Sequence, residues 1–202
     1  MSPVEIPDIP RTERLALPAE ATALVVVDMQ NDFAHPDGAL YGDDARRIIP
    51  VIATLAERAR SAGVPVFFTQ DWHEPDDPEF ALWGEHARAE TWGARIIDEL
   101  APQPGDHSVR KLRYDAFYGT SLDHRLRLRG VHHVAIVGTV ANICVLHTAG
   151  SAALRFYDVV VVEDGVAALT PFDKLSALRQ VTFLYGGRVV PGHGVAFGSP
   201  AV

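Results

Sequence analysis

The residue of this sequence best suited to nucleophilic chemistry is Cys144, the single cysteine of the chain. A short apolar run at 134–137, rich in β-branched residues, predicts a buried strand before it, and Gly138 breaks that run. From about Asn142 onward the apolar spacing is helical, so we expect Cys144 on the first turn of a helix. The free N–H groups and positive dipole end of such a turn favour a thiolate. The alternative is a small buried side chain without chemistry.

Two other chemically active side chains stand at the ends of predicted strands. Asp28 follows the apolar run 23–27, and Lys111 ends a shorter strand at 107–111. In open α/β sheets, ligands bind beyond the carboxyl ends of the strands, where Cys144 is also predicted to lie. A carboxylate, an ammonium group and a thiol meeting there would form an activated nucleophile with its proton acceptor. Taken singly, Asp28 could cap a turn and Lys111 could be a solvated strand end, so it is their coincidence with the cysteine that favours catalysis.

The elements that must position these residues alternate along the chain. The predicted strands are 23–27, 64–69, 107–111, 134–137, 158–162 and 187–190. The predicted helices are 43–62, 94–100, 122–129, a segment from about residue 142, and 171–184. Apolar strands alternating with helices predict an α/β fold, with a six-stranded parallel sheet and helices on both faces in a Rossmann-like three-layer sandwich.

Composition restricts the class of protein. The 202 residues carry a formal net charge of −8, and no basic patch stands out, so we expect no nucleic-acid partner. We expect a single domain over 1–202, with its core at about 21–190, an N-terminal arm at 1–20 and a surface tail at 191–202. The arm lacks an apolar stretch, so neither a signal peptide nor a membrane span is predicted. One cysteine excludes an intrachain disulfide, and we expect a cytoplasmic protein.

A second cluster of chemically active side chains lies in the long polar loop at 71–92. Asp71 and His73 are two residues apart, and His86 follows later in the same loop. One oxygen and two nitrogen ligands suit a divalent transition metal and would leave positions open for water or substrate. Solvated loop residues are the alternative, because Asp-x-His is common by chance. His147, one helical turn after the cysteine, is an alternative base for the thiol.

Together these segments resemble the nicotinamidase branch of the isochorismatase-like cysteine hydrolases. The resemblance covers about 21–190. It rests on segments that occur in the family's order: VVVDMQNDF ending at Phe33, DWH ending at His73, WGEH ending at His86, KLRYDAF beginning at Lys111, and GTVANIC ending at Cys144.

The resemblance implies both an activity and the residues that perform it. It implies a triad of Asp28, Lys111 and Cys144 that hydrolyses a small carboxamide, here nicotinamide, to the acid and ammonia. It also implies a cis peptide bond between Thr139 and Val140, with the amides of Val140 and Cys144 forming an oxyanion hole.

The resemblance further implies one divalent metal ion, zinc before iron or manganese, held by Asp71, His73 and His86. The side chains predicted to wall the substrate ring are aromatic: Phe33, Trp83 and Tyr114. The expected partners are the small amide and further copies of the chain in a homo-oligomer, without nucleic acid or membrane.

Two alternatives to nicotinamide hydrolysis stay open at this point. One is another amidohydrolase of the same superfamily that acts on a ureido acid, an N-carbamoyl compound or maleamate. The other is a binding module without catalysis, because a fold does not imply its commonest activity.

Overall fold

Strands and helices alternate along the chain, which a computed structural model describes over residues 7–198. The strands are β1 (Leu15–Leu17), β2 (Thr22–Val27), β3 (Val66–Asp71), β4 (His107–Lys111), β5 (His133–Thr139), β6 (Asp158–Ala167), β7 (Arg188–Val190) and β8 (Val195–Phe197). The α-helices are α1 (Asn31–Ala34), α2 (Asp43–Arg47), α3 (Ile49–Ser61), α4 (Phe80–Trp83), α5 (Leu122–Arg127), α6 (Leu146–Leu154) and α7 (Pro171–Phe183). Short 3₁₀ turns occupy Ala19–Ala21, Asp98–Leu100 and Gly192–Gly194, and a π-helical turn occupies Ala141–Val145. No helix within this range is both long and apolar enough to cross a bilayer.

Six of the strands form one parallel sheet in the order β4-β3-β2-β5-β6-β7. Every residue of β2 is buried, because helices cover both faces of the sheet. Its side chains alternate between the two faces: Ala23, Val25 and Val27 pack with α5, α6 and α7, whereas Leu24 and Val26 pack with α2 and α3. The predicted six-stranded parallel sheet with helices on both faces is confirmed.

Strand β5 continues through Gly138, where the sequence pattern suggested a break. Gly138 has a φ of 116°, and a Cβ atom there would lie 2.0 Å from the carbonyl oxygen of Val27, so this close approach of β5 to β2 requires glycine. The pairing of β5 with β6 shifts register between Ile136 and Gly138, as at a β-bulge. Pairing resumes after this shift, and strand β6 extends to Ala167, beyond the predicted end at residue 162.

The helix predicted at 43–62 is interrupted and forms two helices, α2 and α3, that meet at Ile48. Pro50 stands in the first turn of α3, where a backbone N–H group would have no acceptor within the helix. Proline, which has no N–H group, therefore costs no hydrogen bond there. Its ring would clash with the carbonyl groups of a preceding helical turn, so one continuous helix cannot pass through this position.

The helix predicted at 94–100 was wrong, because only the 3₁₀ turn at Asp98–Leu100 is helical there. The amide of Ile97 donates instead to the carbonyl of Met29, 2.9 Å away, in the segment that follows β2. Long-range backbone pairing therefore replaces the local hydrogen bonds that a helix would need.

The C-terminal segment predicted as a surface tail is also more ordered than expected. Strand β8 pairs in parallel with β1, and Val195 is fully buried against the helix α3 side of the sheet. The Arg58 guanidinium donates to the carbonyls of Gly192 and Val195. Residues 1–6 and 199–202 of the predicted arm and tail lie outside the described residues.

Candidate active site

A cavity of about 330 Å³ lies beyond the carboxyl ends of β2, β3, β4 and β5. These strands are neighbours in the sheet, so the residues at their ends meet at one edge. Asp28 follows β2, Asp71 ends β3, Lys111 ends β4, and Cys144 lies on the turn after β5. The structure therefore brings together the three predicted catalytic residues and one of the predicted metal ligands.

Asp28 is held in place by the strand beside it. The Thr69 hydroxyl of β3 donates to Asp28 Oδ1 at 2.6 Å and accepts the Asp28 amide at 3.2 Å. Asp28 has a φ of 49°, in the left-handed region that residues with a side chain rarely adopt, at a cost on the order of 1–3 kcal/mol. Its other oxygen, Oδ2, is buried and lies 2.7 Å from the Lys111 ammonium. The carboxylate is therefore held through both of its oxygens.

Lys111 lies beneath the cavity, 2% exposed, between two carboxylates. Its Nζ is 2.7 Å from Asp28 Oδ2, 2.5 Å from Asp71 Oδ1 and 3.7 Å from Cys144 Sγ. Burial alone would lower the pKa of Lys111, but the two aspartates outweigh it and hold that pKa well above its ordinary value. Lys111 is therefore a permanent cation whose charge is already balanced.

Cys144 is buried, with its carboxylate neighbours close by. Its Sγ and oxygens of Asp28 and Asp71 lie within 4.8 Å of one another. The cysteine sits on the π-helical turn, where the Val145 amide donates to the Val140 carbonyl at 3.2 Å. Such turns occur often at functional sites. The Thr139–Val140 peptide bond is cis, as the resemblance implied.

The protonation state of the resting site differs from the thiolate suggested by the helical turn. Burial raises the pKa of the Cys144 thiol well above its ordinary value; Lys111 opposes this, and Asp28 and Asp71 add to it. Burial also raises the pKa of Asp28 to about 6, although Lys111 acts to lower it. Burial therefore favours the neutral thiol over the thiolate in the resting site, because the loss of hydration outweighs one ammonium group.

The predicted metal ligands Asp71, His73 and His86 each offer an atom within 4.8 Å of the others, and all three are buried. His86 Nδ1 lies 2.8 Å from the Gly84 carbonyl, to which it can only donate, so Nε2 carries the lone pair. His73 Nε2 is fully buried and has no partner among the described residues. A buried nitrogen without a partner, beside a second imidazole and a carboxylate, fits a divalent metal ion.

The predicted aromatic residues stand on the cavity wall. Phe33, Trp83 and Tyr114 all line it, and Trp83 Nε1 donates to the Tyr114 hydroxyl at 2.9 Å. The Phe33 ring lies 5.9 Å from that of His86, measured between centroids. A flat ring entering the cavity would therefore have aromatic neighbours on the same side as the metal-ligand set.

Comparison with known proteins identifies the family. A family model described as the isochorismatase domain matches residues 22–192, which is most of the chain. The chain belongs to the isochorismatase family.

Named members of this family that resemble the chain are amide hydrolases. The ureidoacrylate amidohydrolase of Yersinia enterocolitica is 33% identical over 205 residues, covering 87% of this chain and 88% of its own. The solved N-carbamoylsarcosine amidase of Thermoplasma acidophilum is 41% identical, with a TM-score of 0.79 over 85% of this chain and 96% of its own. The nicotinamidase of Bacillus subtilis is 32% identical, with a TM-score of 0.80 over 84% and 98%.

One solved family member contains a metal ion. The pyrazinamidase of Pyrococcus horikoshii, in complex with zinc, is 31% identical to this chain, with a TM-score of 0.78 over 84% of this chain and 98% of its own.

The structure of this isochorismatase-family chain also adds site residues that sequence reasoning missed. Glu79 lines the cavity and can share a ligand cluster with His73 and Asp77. Burial raises the pKa of Glu79, while His73 acts to lower it. The one available signal was an acidic stretch following His73 in the long loop, which is typical of solvated surface. The wall residues Leu40 and Leu169 come from segments without any motif.

His147 does not take the role of alternative base. It is exposed, it does not line the cavity, and its Nδ1 lies 2.8 Å from the Ile143 carbonyl within its own helix. Its ring lies 5.7 Å from that of Tyr114, measured between centroids. Asp28 is therefore the proton acceptor that the geometry favours for Cys144.

Proposed function

We propose that this protein hydrolyses a small neutral aromatic carboxamide, with nicotinamide as the preferred compound, to the acid and ammonia through a thioester on Cys144. The general class, hydrolysis of the carbon–nitrogen bond of an amide, is that of its named relatives. The observation that carries the finer proposal is that Asp71 and His86 open into the same cavity as Cys144.

The reaction begins with a proton transfer inside the buried triad. Asp28, ionised at neutral pH, takes the proton of the Cys144 thiol as the sulfur attacks the amide carbon. Lys111 stays charged between Asp28 and Asp71, so it stabilises the sulfur as negative charge develops. Transfer and attack occur together, because a free thiolate would be costly in this buried site.

The negative charge that develops on the amide oxygen needs donors at the turn. We assign this role to the backbone amides of Val140 and Cys144. Both residues line the cavity, at the turn that follows β5. A well-placed donor of this kind contributes about 3 kcal/mol to transition-state stabilisation.

The second half of the reaction uses the same residues in reverse. The protonated Asp28 gives its proton to the departing nitrogen, and ammonia leaves as the carbon–nitrogen bond breaks. Water then enters and attacks the thioester, and Asp28 takes a proton from it. The carbon–sulfur bond breaks, the thiol regains its proton, and the acid is released.

Asp71, His73 and His86 would hold a divalent metal ion, with zinc as the first choice. The ion would anchor and polarise the ring nitrogen of the substrate. The aromatic walls Phe33 and Trp83 would keep the ring flat against this set, with the carboxamide directed towards Cys144.

A second candidate is hydrolysis of a ureido or N-carbamoyl acid, which the similarity to N-carbamoylsarcosine amidase favours. Such substrates carry a carboxylate that needs a counter-charge. None of the described residues that line the cavity is an arginine or lysine, while Asp28, Asp71 and Glu79 are acidic. Lys111, beneath the cavity, is already paired with Asp28 and Asp71. The side chains alone therefore favour a substrate without negative charge, and only a metal ion held by Asp71, His73 and His86 would offset this.

Relative kcat/KM values for nicotinamide and benzamide test this proposal. Benzamide has the same shape but no ring nitrogen, so we expect nicotinamide to be hydrolysed about 100-fold or more faster, since a site with a polar anchor strongly rejects an analogue that lacks it. Equal values for the two amides would contradict an anchored ring. Activity on neither amide, with turnover of an N-carbamoyl amino acid, would establish the second candidate instead.

A further inference from the structure

Asp77 is a buried carboxylate next to the metal-ligand set, and the mechanism gives it no role. It is 8% exposed, in contrast to its exposed neighbour Asp76. Its Oδ2 lies 2.9 Å from His73 Nδ1, and its Oδ1 accepts the backbone amide of Glu79 at 2.9 Å. One carboxylate thus contacts both a predicted metal ligand and an acidic residue of the cavity wall.

Asp77 is itself held by a cation from a different loop. The Arg113 guanidinium donates to Asp77 Oδ2 at 2.9 Å and to Oδ1 at 3.2 Å. Arg113 follows Lys111 by two residues, just after β4. The ion pair therefore ties the metal-ligand loop to the strand that carries the triad lysine.

The contact with Asp77 determines which nitrogen of His73 is protonated. An ionised carboxylate paired with an arginine can only accept hydrogen bonds, so Nδ1 of His73 must carry the proton. The lone pair then lies on Nε2, the buried atom that has no partner. A histidine fixed in this way by a carboxylate is the usual arrangement at protein metal sites.

We propose that Asp77, supported by Arg113, is a positioning residue of the metal site: it holds His73 in the tautomer that presents Nε2 and fixes the backbone that carries Glu79. This inference rests on the metal set of the proposed function. Aromatic packing alone does not achieve it, because the Phe80 ring, 5.5 Å from that of His73, limits where the imidazole lies but does not choose its tautomer.

The test is the affinity of the metal-free protein for Zn²⁺, measured by competition with a chromophoric chelator. Asp77→Ala is expected to weaken Zn²⁺ binding by about 10- to 100-fold, the usual cost of losing such a partner. Asp77→Asn keeps an oxygen that can accept from His73 Nδ1, so it is expected to bind more tightly than Asp77→Ala. Asp76→Asn is the matched control and should bind as the wild type does.

A spectroscopic readout separates positioning from general support of the loop. The metal-free protein is labelled with ¹⁵N-histidine, and the His73 signals are assigned by their loss in His73→Gln. They should show a protonated Nδ1 in the wild type and in Asp77→Asn. In Asp77→Ala they should shift towards a mixture of tautomers. Equal Zn²⁺ affinities and an unchanged tautomer in Asp77→Ala would overturn this inference alone. A wild-type protein that binds no Zn²⁺ would overturn the metal set itself, and this inference with it.

Discussion

Cys144→Ala is expected to lose amide hydrolysis almost completely, with kcat at least about 1,000-fold lower, because no thioester can form without the sulfur. The substitution removes one atom from a side chain that is 6% exposed, so the fold and the metal-ligand set should stay intact. Steady-state ammonia release from nicotinamide measures the loss, and Zn²⁺ binding measures the integrity of the cavity.

Cys144→Ser provides the matched control for that variant. It keeps a hydroxyl in place of the thiol, but a serine at this position lacks the intrinsic nucleophilicity of sulfur, so it should be nearly as inactive. If Cys144→Ala kept turnover within tenfold of the wild type while remaining folded, another group would have to be the nucleophile.

Asp28→Asn should reduce kcat/KM by about 100- to 10,000-fold, since the amide can neither take the thiol proton nor return one to ammonia.

The pH dependence of kcat/KM in the wild-type protein provides a second test of Asp28. The pKa of Asp28 is raised to about 6, so kcat/KM should fall about tenfold per pH unit below pH 6 as the carboxylate becomes protonated. The decrease in kcat/KM occurs at acidic pH because only the ionised Asp28 carboxylate can act as the base.

The control for Asp28→Asn is Asp98→Asn, the same change at an exposed site that does not line the cavity. It should leave both the rate and the pH profile unchanged. If Asp28→Asn stayed active and its acidic limb persisted near pH 6, a different group would be the base, and the assignment of Asp28 would be contradicted.

The sequence predicted the parts of the fold that depend on local pattern. The strand before Asp28 is apolar on both faces, which is typical of a buried central strand, and the position of Asp28, Lys111 and Cys144 at strand ends followed from the sheet topology. The pattern could not reveal the bulge between β5 and β6 or the pairing of β8 with β1, because both depend on contacts between segments far apart in the chain. The prediction of a helix at 94–100 was wrong for the same reason, because Ile97 pairs with Met29 instead.

The site was predicted to different degrees in its different parts. Residues with distinctive chemistry, such as Cys144 and His73, could be found from their type and spacing. Asp77 and Glu79 could not, because aspartate and glutamate in a polar loop look like solvated surface, and only the folded chain shows that Asp77 is buried against an imidazole. The neutral state of the thiol was also out of reach, since it depends on how deeply Cys144 is buried.

The thioester on Cys144 is the central claim, and the products formed in the presence of hydroxylamine test it most directly. Hydroxylamine attacks a thioester faster than water does, so wild-type protein hydrolysing nicotinamide should yield nicotinohydroxamate in a share that rises with hydroxylamine concentration, while ammonia release does not fall. Reactions without protein, or with Cys144→Ala, should yield none above background. Normal ammonia release with nicotinate as the sole product at every hydroxylamine concentration would show that water attacks the amide directly, and would contradict the account.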